Sequence, residues 1–340
     1  MPLISLIIIF KSIIIIKLIK INLFYQNVMK IGVFLNFVGL GSNLLHLCYC
    51  HQIAKKYGPV TIITQCKKLK EALNDDPLIK DIILFEKKKK TVFHIFYLSK
   101  VLKRLNLDKL FIYYPGKRIY LAAKISNIGD INYYKNIKKK ELHLVNAAKN
   151  FTLKCLNLNS CPTETKFFVS RKNREIGKSI ISKDMFNIIL GVGSSGPTTK
   201  WGVDNYSNLI NRLNLEDNYY FYLLCGKDES NISNQIINNI NKKNCLSLHN
   251  MTIKQLIPIL TSSNMYVGND SFGSHITSQS GIKSIVILLD SPRAYTDYSK
   301  NFYRIIPRGF DINEITHGSK ADPNLVLVEE VIKNINRLKN

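Results

Sequence analysis

A chain of 340 residues, 46% of them hydrophobic, is long enough for two domains and too apolar to be disordered. Its 48 Lys and Arg against 24 Asp and Glu leave a net charge of +24, which suits an anionic membrane surface, an acidic substrate or nucleic acid, and equally a bias toward Lys, Asn and Ile. No helix-turn-helix, zinc-finger or RNA-recognition signature accompanies that charge, and the seven scattered cysteines include no Cys-x-x-Cys pair, so no nucleic-acid partner is expected and the thiols read as reduced.

Residues 1–28 stand apart from the rest. Positions 3–16 are nearly all apolar, broken by Ser5, Lys11 and Ser12, and Lys17 and Lys20 follow. The run is shorter than the roughly 20 apolar residues of a membrane span. No Ala-x-Ala cleavage site comes after it. Three readings stay open: translated non-coding sequence ahead of a start at Met29, a membrane anchor, or an uncleaved signal. Met29-Lys30-Ile31-Gly32-Val33 suits the opening of a first strand, expected over Ile31–Leu35. A glycine-bearing loop follows, Asn36-Phe37-Val38-Gly39-Leu40-Gly41-Ser42-Asn43, and then a helix over 43–57. Further strands are expected at Val60–Thr64, 82–85 and 110–113, with a helix over 95–105. The lysine runs at 87–90 and 138–140 read as solvated loops. Strands alternating with helices indicate a parallel sheet with crossover helices. The polar stretch 149–183 reads as the connection between a first domain, 29–160, and a second, 184–320.

The second domain opens on a compact apolar strand at 186–190. Then comes Gly191-Val192-Gly193-Ser194-Ser195-Gly196-Pro197-Thr198-Thr199-Lys200-Trp201, after which Tyr206, Leu209, Ile210 and Leu213 recur at helical spacing. A strand at 219–224 leads to Gly226-Lys227-Asp228-Glu229. A short strand at 265–267 leads to Gly268-Asn269-Asp270-Ser271-Phe272-Gly273-Ser274-His275 and a helix ending near Gly281. A last helix is expected over 324–338, with Leu325, Val328, Val331, Ile332 and Ile335 on one side. A strand that feeds a small polar loop and a helix gathers N–H groups at a helix start, which attracts an anion, most often phosphate. Asp270 and His275 add groups able to bind sugar hydroxyls or phosphate oxygens. One such loop alone is weak evidence, because a glycine-rich loop is more often a plain turn.

Together, over about residues 29–308, these elements resemble the glycosyltransferase family 9 heptosyltransferases. The resemblance rests on a small-residue loop ending in Lys-Trp (Ser194 to Trp201), a Gly-x-x-Glu element (Gly226 to Glu229), and an Asn-Asp-Ser/Thr-Gly-x-x-His element. The last is Asn269 to His275, with Phe272 between Ser271 and Gly273. It implies an α/β GT-B fold of two Rossmann-like domains whose parallel sheets face each other across a cleft. The first domain would serve the acceptor and the second the nucleotide sugar, and the terminal helix, 324–340, would pack back on the first. It implies a glycosyltransferase that moves a sugar, a heptose among the candidates, from a nucleotide-diphosphate donor to a lipopolysaccharide core or another glycan or lipid-linked glycan. The protein would be cytoplasmic, peripheral to the anionic inner leaflet of the inner membrane, with no cofactor and no metal.

Breaking the donor bond leaves charge on a diphosphate, and a lysine with fixed N–H donors stabilises that charge without a metal. The sequence contains no Asp-x-Asp. On this reading Ser194, Ser195, Thr198 and Lys200 hold the diphosphate and Glu229 the ribose diol. Asp270, Ser271, Gly273, Ser274 and His275 hold the other side of the donor, and Trp201 packs beside the loop. The resemblance also implies a catalytic Asp in the loop after the first strand. Ser42 stands there instead, and no Asp or Glu precedes Glu71. A serine is a poor base near neutral pH unless a neighbour activates it. His46, one helical turn on, and Glu86, at the end of a strand, are the substitutes, so the catalytic set is expected among Ser42, His46 and Glu86. The intact donor loops favour an active transferase; a catalytically degenerate nucleotide-sugar-binding protein is the alternative.

Overall fold

The computed structural model describes residues 29–86, 91–134, 143–194, 196–216, 218–242 and 244–339. The N-terminal 28 residues, the two lysine runs and Ser195 lie outside the described residues, together with the expectations placed on them. Two parallel sheets form the frame. The first contains β1 (Ile31–Leu35), β2 (Val60–Thr64), β3 (Ile79–Leu84), β4 (Lys109–Ile112) and β5 (Asp130–Tyr133), in the order β3-β2-β1-β4-β5. The second contains β6 (Phe186–Gly191), β7 (Tyr219–Leu223), β8 (Cys245–Ser247), β9 (Met265–Asn269), β10 (Lys283–Ile287) and β11 (Phe302–Ile305), in the order β11-β10-β9-β6-β7-β8. Helices cover the sheets, so central strands read as unbroken apolar runs: β1 and β9 are buried at every position. The fold is the expected pair of Rossmann-like α/β units.

The helix expected over 43–57 is two helices, Leu40–Leu45 and Leu47–Tyr57. The break has a local cause. The ring of His46 bonds the Ser42 carbonyl at 2.7 Å, the acceptor that its own backbone N–H would take in a continuous helix. That N–H turns to Asn43 O instead, at 3.0 Å.

The polar connection is a strap rather than a free linker. The helix Leu144–Leu156 packs on the helix Leu47–Tyr57 of the first domain, and Arg171–Ile180 packs on Ile253–Ser262 of the second. Between them, Thr165 Oγ1 meets His51 Nδ1 at 2.7 Å on the first domain. Glu164 accepts Ser299 Oγ at 2.7 Å and Asn301 Nδ2 at 3.1 Å on the second. The segment is polar because it is bonded to both sides. A single buried cluster also crosses the junction, joining Leu44 and Tyr49 to Ile276, Tyr298 and Phe302.

The terminal helix, Val328–Lys339, corrects the expectation that it packs on the first domain. Val328, Val331, Ile335 and Leu338 are buried with Leu209, Leu213 and Ile285 of the second. Lys283 Nζ donates to Leu338 O at 2.6 Å, and Arg212 pairs with Glu329. The groove between β10 and the helix Val203–Glu216 matches its apolar stripe, so the stripe is satisfied locally. Among the described residues no helix is long and apolar enough to cross a membrane.

Candidate functional site

In open parallel sheets ligands bind beyond the C-terminal ends of the strands. β6 and β9 are neighbours there, with Gly191 opposite Gly268. The two backbones approach so closely that a Cβ on Gly268, which sits at φ +152°, would lie 2.6 Å from Gly191. Buried Asn269 ties the loops together. Its Oδ1 accepts the Trp201 N–H at 3.0 Å and the Tyr206 hydroxyl at 3.2 Å, and its Nδ2 donates to Val192 O at 3.0 Å. Trp201 is fully buried, with its indole N–H on Val326 O at 3.0 Å, a packing residue beside the loop.

Lys200 and Glu229 meet at the loop mouth, Nζ to Oε1, at 2.6 Å. Glu229 also accepts the N–H groups of Ser194 at 3.1 Å and Gly226 at 3.2 Å. Burial pushes the Glu229 pKa up, but Lys200 and these amides outweigh it and hold the carboxyl below its ordinary range. Thr199 Oγ1 donates to Ser194 Oγ at 2.6 Å. Thr198 is held by the Asp290 carboxylate, which also takes the Ser319 N–H at 3.1 Å. Burial of Asp290 is likewise outweighed, by Thr198 and by the amides of Gly318 and Ser319, so it stays ionised well below neutral pH. Asp290 was missed by the sequence reading. Its one signal was an acidic residue directly after the apolar run 285–289.

The next loop starts the helix Phe272–Gln279, with Ser271 at its N-cap. Ser274 and Gly273 offer backbone more than side chain. Ser274 Oγ donates to Ser271 O at 2.7 Å, and a Cβ on Gly273 would strike Leu224 at 2.3 Å. Asp270 accepts from Ser291, while its Oδ1 is buried without a hydrogen bond, 3.5 Å from His275 Nε2. His275 is buried at the domain junction. Its Nδ1 meets the Tyr298 hydroxyl at 2.8 Å, and a Cβ on Gly41 of the first domain would sit 2.7 Å from its ring.

The three candidate catalytic residues are not brought together. Ser42 is half-buried and lies close to Tyr295 of the second domain. Burial raises the Tyr295 pKa, and Asp270 nearby raises it further. His46 instead turns into the first domain's core, stacked on Phe37 at 4.7 Å and edge-on to Tyr113 at 5.8 Å. Its Nε2 has no partner, and burial drives its pKa down to about 4. That corrects its placement beside Ser42: the bond to the Ser42 carbonyl aims the ring inward. Glu86 is exposed after the edge strand β3, two strands from β1.

A groove of about 690 Å³ lies beside these loops, between the domains. His143, Asn146 and Lys149 line one wall, and Arg293, Asp297 and Thr316 the other. Asp297 is bridged to His143 at 2.9 Å, Arg293 at 3.0 Å and Arg304 at 2.8 Å. Among the described residues no three His, Cys, Asp or Glu side chains group to hold a metal ion.

The family model for glycosyltransferase family 9 (heptosyltransferase) matches residues 115–304. No curated protein matches the chain. Solved structures similar to it include E. coli ADP-heptose lps heptosyltransferase II, at 15% identity and a TM-score of 0.71, covering 92% of this chain and 98% of that one. A family 9 glycosyl transferase from Veillonella parvula follows at 16% identity and TM-score 0.70, covering 92% and 97%. E. coli heptosyltransferase WaaC with ADP-2-deoxy-2-fluoro heptose has 12% identity and TM-score 0.67, covering 91% and 99%. At such identities the likeness is one of fold, and the fold is GT-B.

Proposed function

Because the chain belongs to glycosyltransferase family 9, we propose that it transfers a heptose from a nucleoside-diphosphate donor, without a metal, to a lipopolysaccharide core or a related membrane-side glycan. The observation that carries this reading is the Lys200–Glu229 pair set where two strand–loop–helix anion sites converge. The diphosphate binds Lys200 and the N–H groups that open the helix Phe272–Gln279, while Glu229, held ionised, takes the ribose diol. E. coli WaaC was solved with ADP and with an ADP-heptose analogue, which makes ADP-heptose the first donor to try. The interdomain groove, with Lys149, Arg293 and His143, suits an anionic acceptor. The protein works peripherally at the cytoplasmic face of the inner membrane.

The acceptor hydroxyl gives its proton to the carboxylate of Asp270, which lies near Tyr295 and whose Oδ1, unbonded and buried, becomes available as acceptor binding uncovers it. The acceptor oxygen then bonds to the anomeric carbon as the carbon–oxygen bond to the diphosphate breaks. Lys200 and the helix amides stabilise the leaving group. A second reading, a nucleotide-sugar binder without turnover, is favoured by Ser42 in the place of an Asp and by the inward burial of His46.

Calorimetry with ADP-, GDP- and UDP-sugars, with and without a chelator, tests the donor claim. Lys200→Ala should weaken binding by about 1.5–3 kcal/mol; binding that disappears on chelation overturns metal-free recognition. Asp270→Asn should cost on the order of 10²-fold in turnover at saturating donor. If the parent shows no turnover and Ser42→Asp creates it, the binder reading replaces the enzyme.

A further inference from the structure

Two outer helices of the first domain, Val92–Leu105 and Lys117–Ile125, lie side by side over one face of its sheet. Leu98 and Leu102 of one, and Ile119, Ala122 and Ala123 of the other, are buried beneath. Their outer faces are unusual for a solvated surface. Phe93 is 83% exposed, Phe96 58%, Leu121 47% and Ile125 51%. Spaced three and four apart, Phe93, Phe96, Lys100 and Lys103 make one stripe, and Lys117, Leu121 and Lys124 make another. Neither helix contains an acidic residue. Single exposed apolar residues need no explanation, but a cluster ringed by like charge does.

We propose that this two-helix face is the docking surface for an anionic lipid bilayer. The aromatic rings enter the headgroup region, and the lysine stems lie along it with their ammonium groups on lipid phosphates. Charge selects this occupant over the others. A second copy would bring the same lysines against each other. Residues 1–28, the other apolar stretch of the chain, carry three lysines and no acid, so they too are repelled by this face. Both helices begin at the C-terminal ends of the strands they follow, the edge where the cleft opens, so docking sets the cleft mouth beside the headgroups. This inference deepens the peripheral-membrane part of the proposed function and rests on it, but it requires no turnover.

Co-sedimentation of the full chain with phosphatidylcholine vesicles, with and without phosphatidylglycerol, provides the test. Binding should require phosphatidylglycerol and weaken with salt. Phe93→Ser with Phe96→Ser should weaken partitioning at least about tenfold, and Lys100→Gln, Lys103→Gln and Lys124→Gln combined should do the same. Both variants should keep the parent's melting temperature and its donor affinity. Undiminished vesicle binding by the aromatic variant would overturn the proposal and assign binding to residues 1–28. A parent dimer that the aromatic variant converts to monomer would overturn it in favour of a second copy. Loss of donor binding in the parent would count against the transferase reading and leave the vesicle result standing.

Discussion

The His46 ring spends one nitrogen on the Ser42 carbonyl and buries the other against aromatic side chains. Bonding a carbonyl requires the proton on Nδ1, so the buried Nε2 carries the bare lone pair. Charging it would place a cation in an apolar core, which is why burial lowers the pKa from 6.5 to about 4. The sign of the effect on stability follows. Between these two values the unfolded chain binds the proton and the folded one refuses it. The contribution is complete above about pH 6.5 and is lost as pH falls toward 4, by on the order of 3 kcal/mol in all. His46→Leu should therefore flatten the rise of unfolding free energy across that window in urea titrations at several pH values. Equal slopes in parent and variant would mean that the ring is not buried as described. The same substitution should leave the pH profile of turnover where it was, because a neutral buried imidazole takes no acceptor proton.

At the level of elements, legibility followed what a pattern can encode. The strand–loop–helix units at β6 and β9 were readable because an apolar run, permissive glycines and a following helical period lie close together in the chain. β5 and β8 were not: β5, Asp130–Tyr133, is half-exposed and half polar, with no apolar run like that of equally short β4, and β8 is only three residues long. Asp290 was hidden for another reason: only the fold carries Gly318 and Ser319 to its carboxylate. The terminal helix shows the limit most clearly. Its stripe announced a buried face, but spacing says nothing about which surface receives it. Ile335 is fully buried among second-domain residues, so Ile335→Ala should cost about 2–5 kcal/mol. Hydrogen exchange should speed up in β10 and in the helix Val203–Glu216, and stay unchanged in β1 to β5. Faster exchange in the first sheet would return the helix to the first domain.

Across the whole molecule, the proposed transfer requires the donor loops and the acceptor side to be held at a fixed separation. The junction is buried and specific. Gln279 Nε2 donates to Leu44 O at 3.0 Å, and the helix Leu40–Leu45 lies against Phe272–Gln279, with Gly41 over the His275 ring. Glycine is required at that position by space, since a Cβ would come within 2.7 Å of the imidazole. The buried ring is itself packed on Tyr298 and Phe302, so it has nowhere to retreat. Gly41→Leu should therefore act as a wedge that holds the cleft open without touching the Lys200–Glu229 loops. Small-angle scattering should report a larger radius of gyration. Donor affinity should fall by less than turnover does, since the wedge presses on His275 of the donor-side helix but leaves the Lys200 loop untouched. Turnover should fall on the order of 10²-fold, because a displacement near 1 Å between donor and acceptor sides is enough for that loss. If donor affinity falls in step with turnover while the radius of gyration stays constant, the wedge has moved His275 rather than the domain. The junction would then be part of the donor site instead of the hinge that closes it.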